Sequence, residues 1–473
     1  MARSRQTKYL LIGGGVAAAR AVGSIRDLDR NGAIVLVTDE PRMPYDRPPL
    51  SKGIITGDVR AREISSNRRF FYLKHRVRIL RRTSVTALQL EGAEPEATLS
   101  DGGRVRFERA LIATGGRPRR LRVPGAELSG IHTLRTVADA QSIAAESGDG
   151  KAAVIVGGGF IGLELAASLS QVGTRVTLVE PRDHLWPPST PPALSEYLRS
   201  YLESLGVTVH TGIAVEAFVG EERVRAVRTE AVAREQHAPA ARAAGGEIAC
   251  DFVCVAVGIE PNSSLAESAG LETDDGILVD EKVCTSDPRI FAAGDVCRFR
   301  DPFSGAARRV EHHENAEYGG LLAGANMAEA DRRYDFLPTL WSDIGALTID
   351  VAGDETRYDS LVERGRLPDI AEPSGRAPTA ATAYQTRTHQ ERAKKASDGN
   401  SAQSGWIAIG FKDGQPLCYF ALGARRADLS AAQLLIRNRA QGAEPGNAQT
   451  SHMREQLADS SRALPEIARE LLR

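Results

Sequence analysis

The apolar positions of this chain come in short, mostly unbroken runs, each followed by glycine or by an acid. Residues 9–12, 34–38, 110–115, 152–156, 174–179 and 253–257 read as strands, and 152–156 has the composition of a buried parallel strand. Helix-prone stretches follow two of them, at 18–29 and 163–169, and a third helix opens at 309–316 and reaches about Met327. Beyond residue 340 the pattern changes. Residues 344–353 read as strands, and 406–411 and 417–422 form a hairpin about Asp413-Gly414. Residues 428–439 form an amphipathic helix, 446–450 a linker, and 453–472 a terminal helix interrupted by Pro465. Residues 367–404 are rich in Ala, Ser, Thr, Arg and Pro with few large apolar side chains, and read as a disordered insert.

Glycines occupy two of the strand ends in a fixed pattern. After 9–12 come Gly13, Gly14 and Gly15, with Ala18 in the third position of G-x-G-x-x-[GA]. After 152–156 come Gly157, Gly159, Phe160, Ile161 and Gly162. In such a turn the first glycine bends the chain, the second lets backbone approach a pyrophosphate, and the third lets helix and strand pack closely. Asp39 ends the next strand of the first unit and Glu180 that of the second, where an acid meets ribose hydroxyls. Two complete fingerprints imply two dinucleotides. Glu180 favours NADH over NADPH because a carboxylate repels a 2′-phosphate, although Arg182 stands near. Glu164, just inside the second helix, is out of place beside a phosphate site.

Thr114-Gly115 and Gly258 close strands that lead out of the first fold and out of the second, so the second is inserted in the first. The division expected is 1–127 with 256–330, 128–255, and 331–473. Asp295 follows a strand and a glycine, placed to accept from sugar or ribityl hydroxyls. The prolines in 44–52 imply a rigid extended loop rather than a helix, presenting Arg47 to a pyrophosphate and Lys52 to a redox ring. His312 and His313 are adjacent and cannot both face one metal from a helix, so no metal site is expected; His312 packed on a planar cofactor is the better reading.

The 473 residues exceed one core, and a net charge of −1 provides no global field for nucleic acid or anionic membrane. Basic runs at 68–82, interleaved with Phe70, Phe71 and Tyr72, and at Arg117, Arg119, Arg120 and Arg122 read as solvated faces, or as docking sites for an acidic redox partner or polyanion. No apolar run is long enough to span a bilayer, and eight residues before the first strand are too few for a signal peptide, so a cytoplasmic protein is expected. Five cysteines with no C-x-x-C argue against a disulfide framework and against a disulfide substrate.

Together, Leu11 to Gly15, Ile112 to Gly115, Val156 to Gly162 and Phe291 to Asp295 resemble the two-dinucleotide flavin reductases of the glutathione-reductase-like fold. Arg47 to Lys52, Glu311-His312-His313 and Trp341-Ser342-Asp343 resemble the apoptosis-inducing factor family, whose kin feed electrons to oxygenase ferredoxins. The resemblance implies an α/β fold with two Rossmann-like domains, the NAD domain inserted in the FAD domain, and a C-terminal α+β domain. It implies FAD and NADH as cofactors, with Lys52 and Glu164 paired beside the flavin N5, Lys52 raising the flavin potential and Glu164 tempering it. It further implies that Phe160 screens the flavin, that His312 and Trp341 pack near it, and that Glu311 meets the nicotinamide amide. Asp39 would hold the FAD adenosine ribose, and Asp295 its ribityl and pyrophosphate groups. Apoptosis-inducing factors carry a longer segment after the Ser-Lys motif; here the chain runs from Gly53 almost directly to Phe71. The activity expected is hydride transfer from NADH to FAD, then electron transfer to a quinone, a ferredoxin-type protein or oxygen. The alternative is a redox-gated protein with slow flavin turnover that binds a partner or DNA. A second copy of the chain is admitted as a partner, and nucleic acid is disfavoured by the net charge.

Overall fold

The computed structural model describes residues 4–92, 94–186, 189–232, 245–370, 405–439 and 447–472. The chain forms two compact units. Met1–Arg47, Arg62–Arg117 and Ile259–Leu340 make the first, and Pro48–Ala61, Pro118–Gly258 and Trp341–Arg473 the second. The architecture is α/β, with parallel sheets in both units and an antiparallel C-terminal region.

In the first unit Val77–Leu80, Ile34–Val37, Ser4–Ile12 and Arg104–Ile112 lie side by side in parallel, and Ile290–Ala292 joins the last of them. Glu96–Leu99 and Val85–Gln89 extend the sheet antiparallel. Leu10, Leu11, Leu36, Leu111 and Ile112 have no exposed surface, which is why these strands read as unbroken apolar runs. Helix Val16–Leu28 packs on His313–Met327 through small residues. A Cβ on Gly320 would lie 2.2 Å from the Ala17 carbonyl oxygen, and one on Gly324 2.6 Å from that of Ala21. The two helix backbones therefore touch, and only glycine fits at the contact. An Arg20–Glu317 ion pair and a 2.7 Å bond donated by Ser24 Oγ to the Leu321 carbonyl flank it.

In the second unit Thr208–Thr211, Arg175–Glu180, Ala152–Val156, Phe252–Val255 and Ile131–Thr133 form a wholly parallel sheet. Ile213–Gly220, Val224–Ala231 and Glu247–Ala249 form a separate antiparallel one. The C-terminal region is an antiparallel sheet of Leu347–Gly353, Gln415–Leu422, Trp406–Lys412 and Ser360–Arg364. Helix Arg426–Arg439 packs on it. Its hairpin turns at Asp413 and Gly414, both at positive φ, as an Asp-Gly two-residue turn requires.

Three expectations are corrected. Residues 44–52 are not wholly extended: Pro48–Ser51 is a 3-10 turn and Gly53–Thr56 a single helical turn. The φ that proline imposes suits a first helical turn as well as an extended chain. A helix, Asn447–Ala458, begins within the supposed linker 446–450. Pro465 starts a new helix, Leu464–Leu471, rather than interrupting one, because the first turn has no intrahelical N–H bond to lose. Of the insert 367–404, residues 371–404 lie outside the described residues.

Candidate active site

The two glycine turns are built alike. Gly13 has φ +125°, and a Cβ there would lie 2.1 Å from the Ala113 carbonyl oxygen; Gly157 has φ +110°, with Ala256 O at 2.4 Å. Each first glycine is thus wedged against the strand that crosses out of its own fold. Gly15 and Gly159 are the opposite case. A Cβ on either meets nothing within 4 Å. Each is the N-cap of a helix of at least 12 residues, with no side-chain cap and no acid in its first turn. Free N–H groups, the positive end of a helix dipole and open space in front are what a pyrophosphate needs. In third position, a Cβ on Gly162 would strike the Gly157 carbonyl oxygen at 2.0 Å, whereas the first turn accommodates buried Ala18.

The acid positions are not equivalent. Gly157 donates to the Val179 carbonyl and Gly13 to that of Val37, which makes Thr38 the counterpart of Glu180. Glu180 is buried and turned into its own loop, accepting from Gly158 N at 2.7 Å and Arg182 N at 3.0 Å. Asp39 lies one residue further on and is exposed. Its neighbour Glu40 instead accepts from Tyr45 Oη at 2.6 Å and Arg47 Nη2 at 3.1 Å, anchoring Arg47 to the strand end. Thr114 and Gly115 are tied to Asn262: Thr114 Oγ1 donates to the Asn262 carbonyl, and Asn262 donates to the carbonyls of Thr114 and Gly115. Asp295 is half-buried, Glu311 is paired with Arg309, and Gly258 sits exposed at φ +94°.

His312 is the N-cap residue of helix His313–Met327 and is buried. Desolvation, assisted by the Arg308 cation, pushes its imidazole down to about 3, so it is neutral in ordinary buffers. Its Nδ1 is buried without a hydrogen-bond partner among the described residues. An orphaned polar atom of this kind fits a ring that meets a ligand edge.

Glu164 now finds its purpose within the second unit. It is 4% exposed, on the second turn of helix Phe160–Gln171. Its Oε1 accepts from Lys52 Nζ at 2.8 Å and Ser342 Oγ at 2.7 Å, and its Oε2 from Ser51 Oγ at 2.5 Å. Lys52 is also 3.7 Å from Asp343 Oδ2 and sits 4.6 Å from the Trp341 ring centroid. Three stretches far apart in the chain thus converge on one buried ion pair. The ammonium meets two carboxylates and an aromatic face, an arrangement that fixes its position. Phe160 and Ile161 are half-buried at the head of the same helix, with the Phe160 ring 5.9 Å from that of Trp186.

A model of the pyridine nucleotide-disulphide oxidoreductases matches residues 7–320. The chain belongs to that family. It is 34% identical over 360 residues to a probable ferredoxin reductase of Castellaniella defragrans, covering 76% of this chain and 84% of that one. It is 29% identical to the rubredoxin-NAD(+) reductase of Ectopseudomonas oleovorans, over 75% of this chain and 88% of the relative. The crystal structure of a ferredoxin reductase for the CYP199A2 system from Rhodopseudomonas palustris superposes with a TM-score of 0.80, at 26% identity, over 98% of this chain and all of that one. This oxidoreductase is therefore an NAD(P)H-dependent flavoprotein, and its cofactors are FAD and NADH.

Both glycine turns of the oxidoreductase have the open, uncapped helix start that such cofactors require, and the Lys52–Glu164 pair is formed. Sequence reasoning missed that Ser51 and Ser342 hold the carboxylate and that Asp343 is a second acid on Lys52. The signal was in the same short motifs, since Ser51 adjoins Lys52 and Ser342 lies between Trp341 and Asp343. Among the described residues no helix is long and apolar enough to cross a membrane.

Proposed function

We propose that this flavoprotein oxidises NADH at the Gly157 fold and delivers the electrons singly, through FAD, to a small iron–sulfur protein. The carrying observation is the state of the thiols. None of the five cysteines is in a disulfide, and four are buried. Burial raises Cys250 to about 12 and Cys284 to about 11, and pushes Cys254 higher still. Cys297 is raised as well, so none of these four thiols is poised as a thiolate, which supports transfer from the flavin directly to an external acceptor rather than through a protein dithiol. The ferredoxin and rubredoxin reductases among the relatives supply the acceptor class.

Bound FAD supplies hydride acceptance and single-electron release. The chain's residues position and polarise. The Gly15 and Gly159 helix starts bind pyrophosphates, and Glu180 selects NADH by rejecting a 2′-phosphate. We assign Lys52, locked by Glu164, Ser51 and Ser342, to the flavin's reactive edge, where its fixed positive charge favours reduction. Neutral His312 offers a ring and one nitrogen without adding charge. The Ser-Lys motif, the distant Glu164 and Trp341 are the features that liken the chain to apoptosis-inducing factors. The acid-free basic run at 68–82 favours a second reading, a redox-gated partner- or DNA-binding protein.

Anaerobic mixing with NADH and NADPH separately, followed by a [2Fe–2S] ferredoxin coupled to cytochrome c, tests the proposal. NADH should bleach the flavin faster than NADPH, and the ferredoxin should restore turnover. A flavin that NADH reduces but no iron–sulfur protein reoxidises would leave the second reading.

A further inference from the structure

The two most exposed large apolar side chains among the described residues are Phe70, 72% exposed, and Leu73, 62% exposed. Both lie on the short helix Arg69–Lys74, three positions apart and hence on one face. The helix is well anchored from behind. Tyr72 is buried, the Phe71 ring packs within 3.8 Å of where a Gly23 Cβ would lie, and Arg26 Nε donates to the His75 carbonyl at 2.8 Å. The outward face is therefore a rigid platform rather than a frayed turn.

The charge along that segment of the chain has one sign. From Asn67 to Leu90 the chain carries seven Lys and Arg and no Asp or Glu, in a protein of net charge −1. Arg69, Lys74, Arg76 and Arg78 are exposed about the apolar pair. An aromatic and an aliphatic anchor inside a cationic rim is how a protein interface is built, with dry contacts at the centre and charges at the edge that set on-rate.

We infer that the Phe70–Leu73 face is the docking surface for the acidic surface of a small iron–sulfur electron carrier, an inference that rests on the proposed function. Nucleic acid fits less well, since interfaces with it are more polar than an exposed Phe-Leu pair at the centre allows. A bilayer fits less well because six helical residues cannot lay an amphipathic face into headgroups.

Two surface variants test this in the FAD-loaded full chain, Phe70→Ser/Leu73→Ser and Arg69→Glu/Lys74→Glu. Neither alters a buried contact. NADH oxidation with ferricyanide should stay within twofold of the wild type in both. With a bacterial [2Fe–2S] ferredoxin of net negative charge, KM should rise at least tenfold with kcat little changed. The charge-reversed variant should also lose most of the salt dependence of kcat/KM. Unchanged KM and unchanged salt dependence, with a wild type that reduces the ferredoxin, overturn the surface alone. A wild type that reduces ferricyanide but no ferredoxin overturns the acceptor and the surface together. Retention of duplex DNA or of phosphatidylglycerol vesicles that charge reversal abolishes, or a dimer that Phe70→Ser/Leu73→Ser dissociates, overturns the occupant.

Discussion

The buried ion pair is open to a quantitative test by a double-mutant cycle of Lys52→Met and Glu164→Gln. At 2.8 Å and an effective dielectric of about 20, the attraction is about 6 kcal/mol before desolvation. Several kcal/mol of that is offset by taking two ions out of water, and the side chains are only 12% and 4% exposed. The informative quantity is what each single change strands. Lys52→Met leaves a buried carboxylate held by Ser51 and Ser342 alone, at a cost of about 3–4 kcal/mol. Glu164→Gln leaves the ammonium with Asp343 at 3.7 Å and the Trp341 face, so its cost should be smaller, about 2 kcal/mol. The double variant should cost about as much as the worse single, giving a coupling of about 2 kcal/mol. Urea midpoints of the FAD-loaded protein, followed by flavin release, measure all four corners. Additive effects, or two singles each below about 0.5 kcal/mol, would refute the claim that the pair is structurally coupled. In the same proteins Lys52→Met should slow anaerobic flavin reduction by NADH at least tenfold while FAD stays bound; unchanged reduction removes Lys52 from the redox site.

Three further outcomes are expected. Gly159→Asp fills open space at a helix N-terminus with a carboxylate, so KM for NADH should rise at least tenfold while the flavin-to-protein absorbance ratio is unchanged; equal KM would detach this turn from the nucleotide. Gly320→Val drives a side chain into the Ala17 backbone and should cost about 3 kcal/mol, read as a lowered urea midpoint; a neutral substitution would mean that the two helices part freely. His312 is held neutral, with its pKa lowered from 6.5 to about 3, so the unfolded chain binds the extra proton between those values. Its contribution is fully present above pH 6.5 and is lost as pH falls towards 3, about 2 kcal/mol by pH 5. His312→Gln should flatten that part of the pH–stability profile, and an identical slope in the variant would contradict a buried neutral ring.

Legibility in the sequence followed the range of the interaction. The strands and glycine turns were readable because burial on both faces forces unbroken apolar runs, and because only glycine tolerates the wedge at Gly13 and Gly157. The Asp-Gly hairpin was readable for the same local reason. Proline was the weak guide. At Pro48 and Pro465 its φ served helix starts where an extended loop and a helix break were expected. The acids of the two folds do not occupy equivalent positions. Asp39 is exposed, and the register places Thr38 where the second fold has Glu180, since a one-residue offset at a strand end changes which side chain faces the turn.

The sequence by itself determined that two dinucleotide folds are present and that Glu164 needed an explanation. Each of these depends on residues within about 30 positions of one another, where backbone sterics and burial act directly on the local pattern. Only the tertiary structure decided how that carboxylate is held. Ser51 and Lys52 come from a proline-started turn, Glu164 from a helix 112 residues beyond Lys52, and Ser342 from the strand Thr339–Ile344, a further 178 residues on. No local pattern encodes a carboxylate's full set of donors. The set is chosen by burial, because a charge removed from water must be met by every polar group within reach.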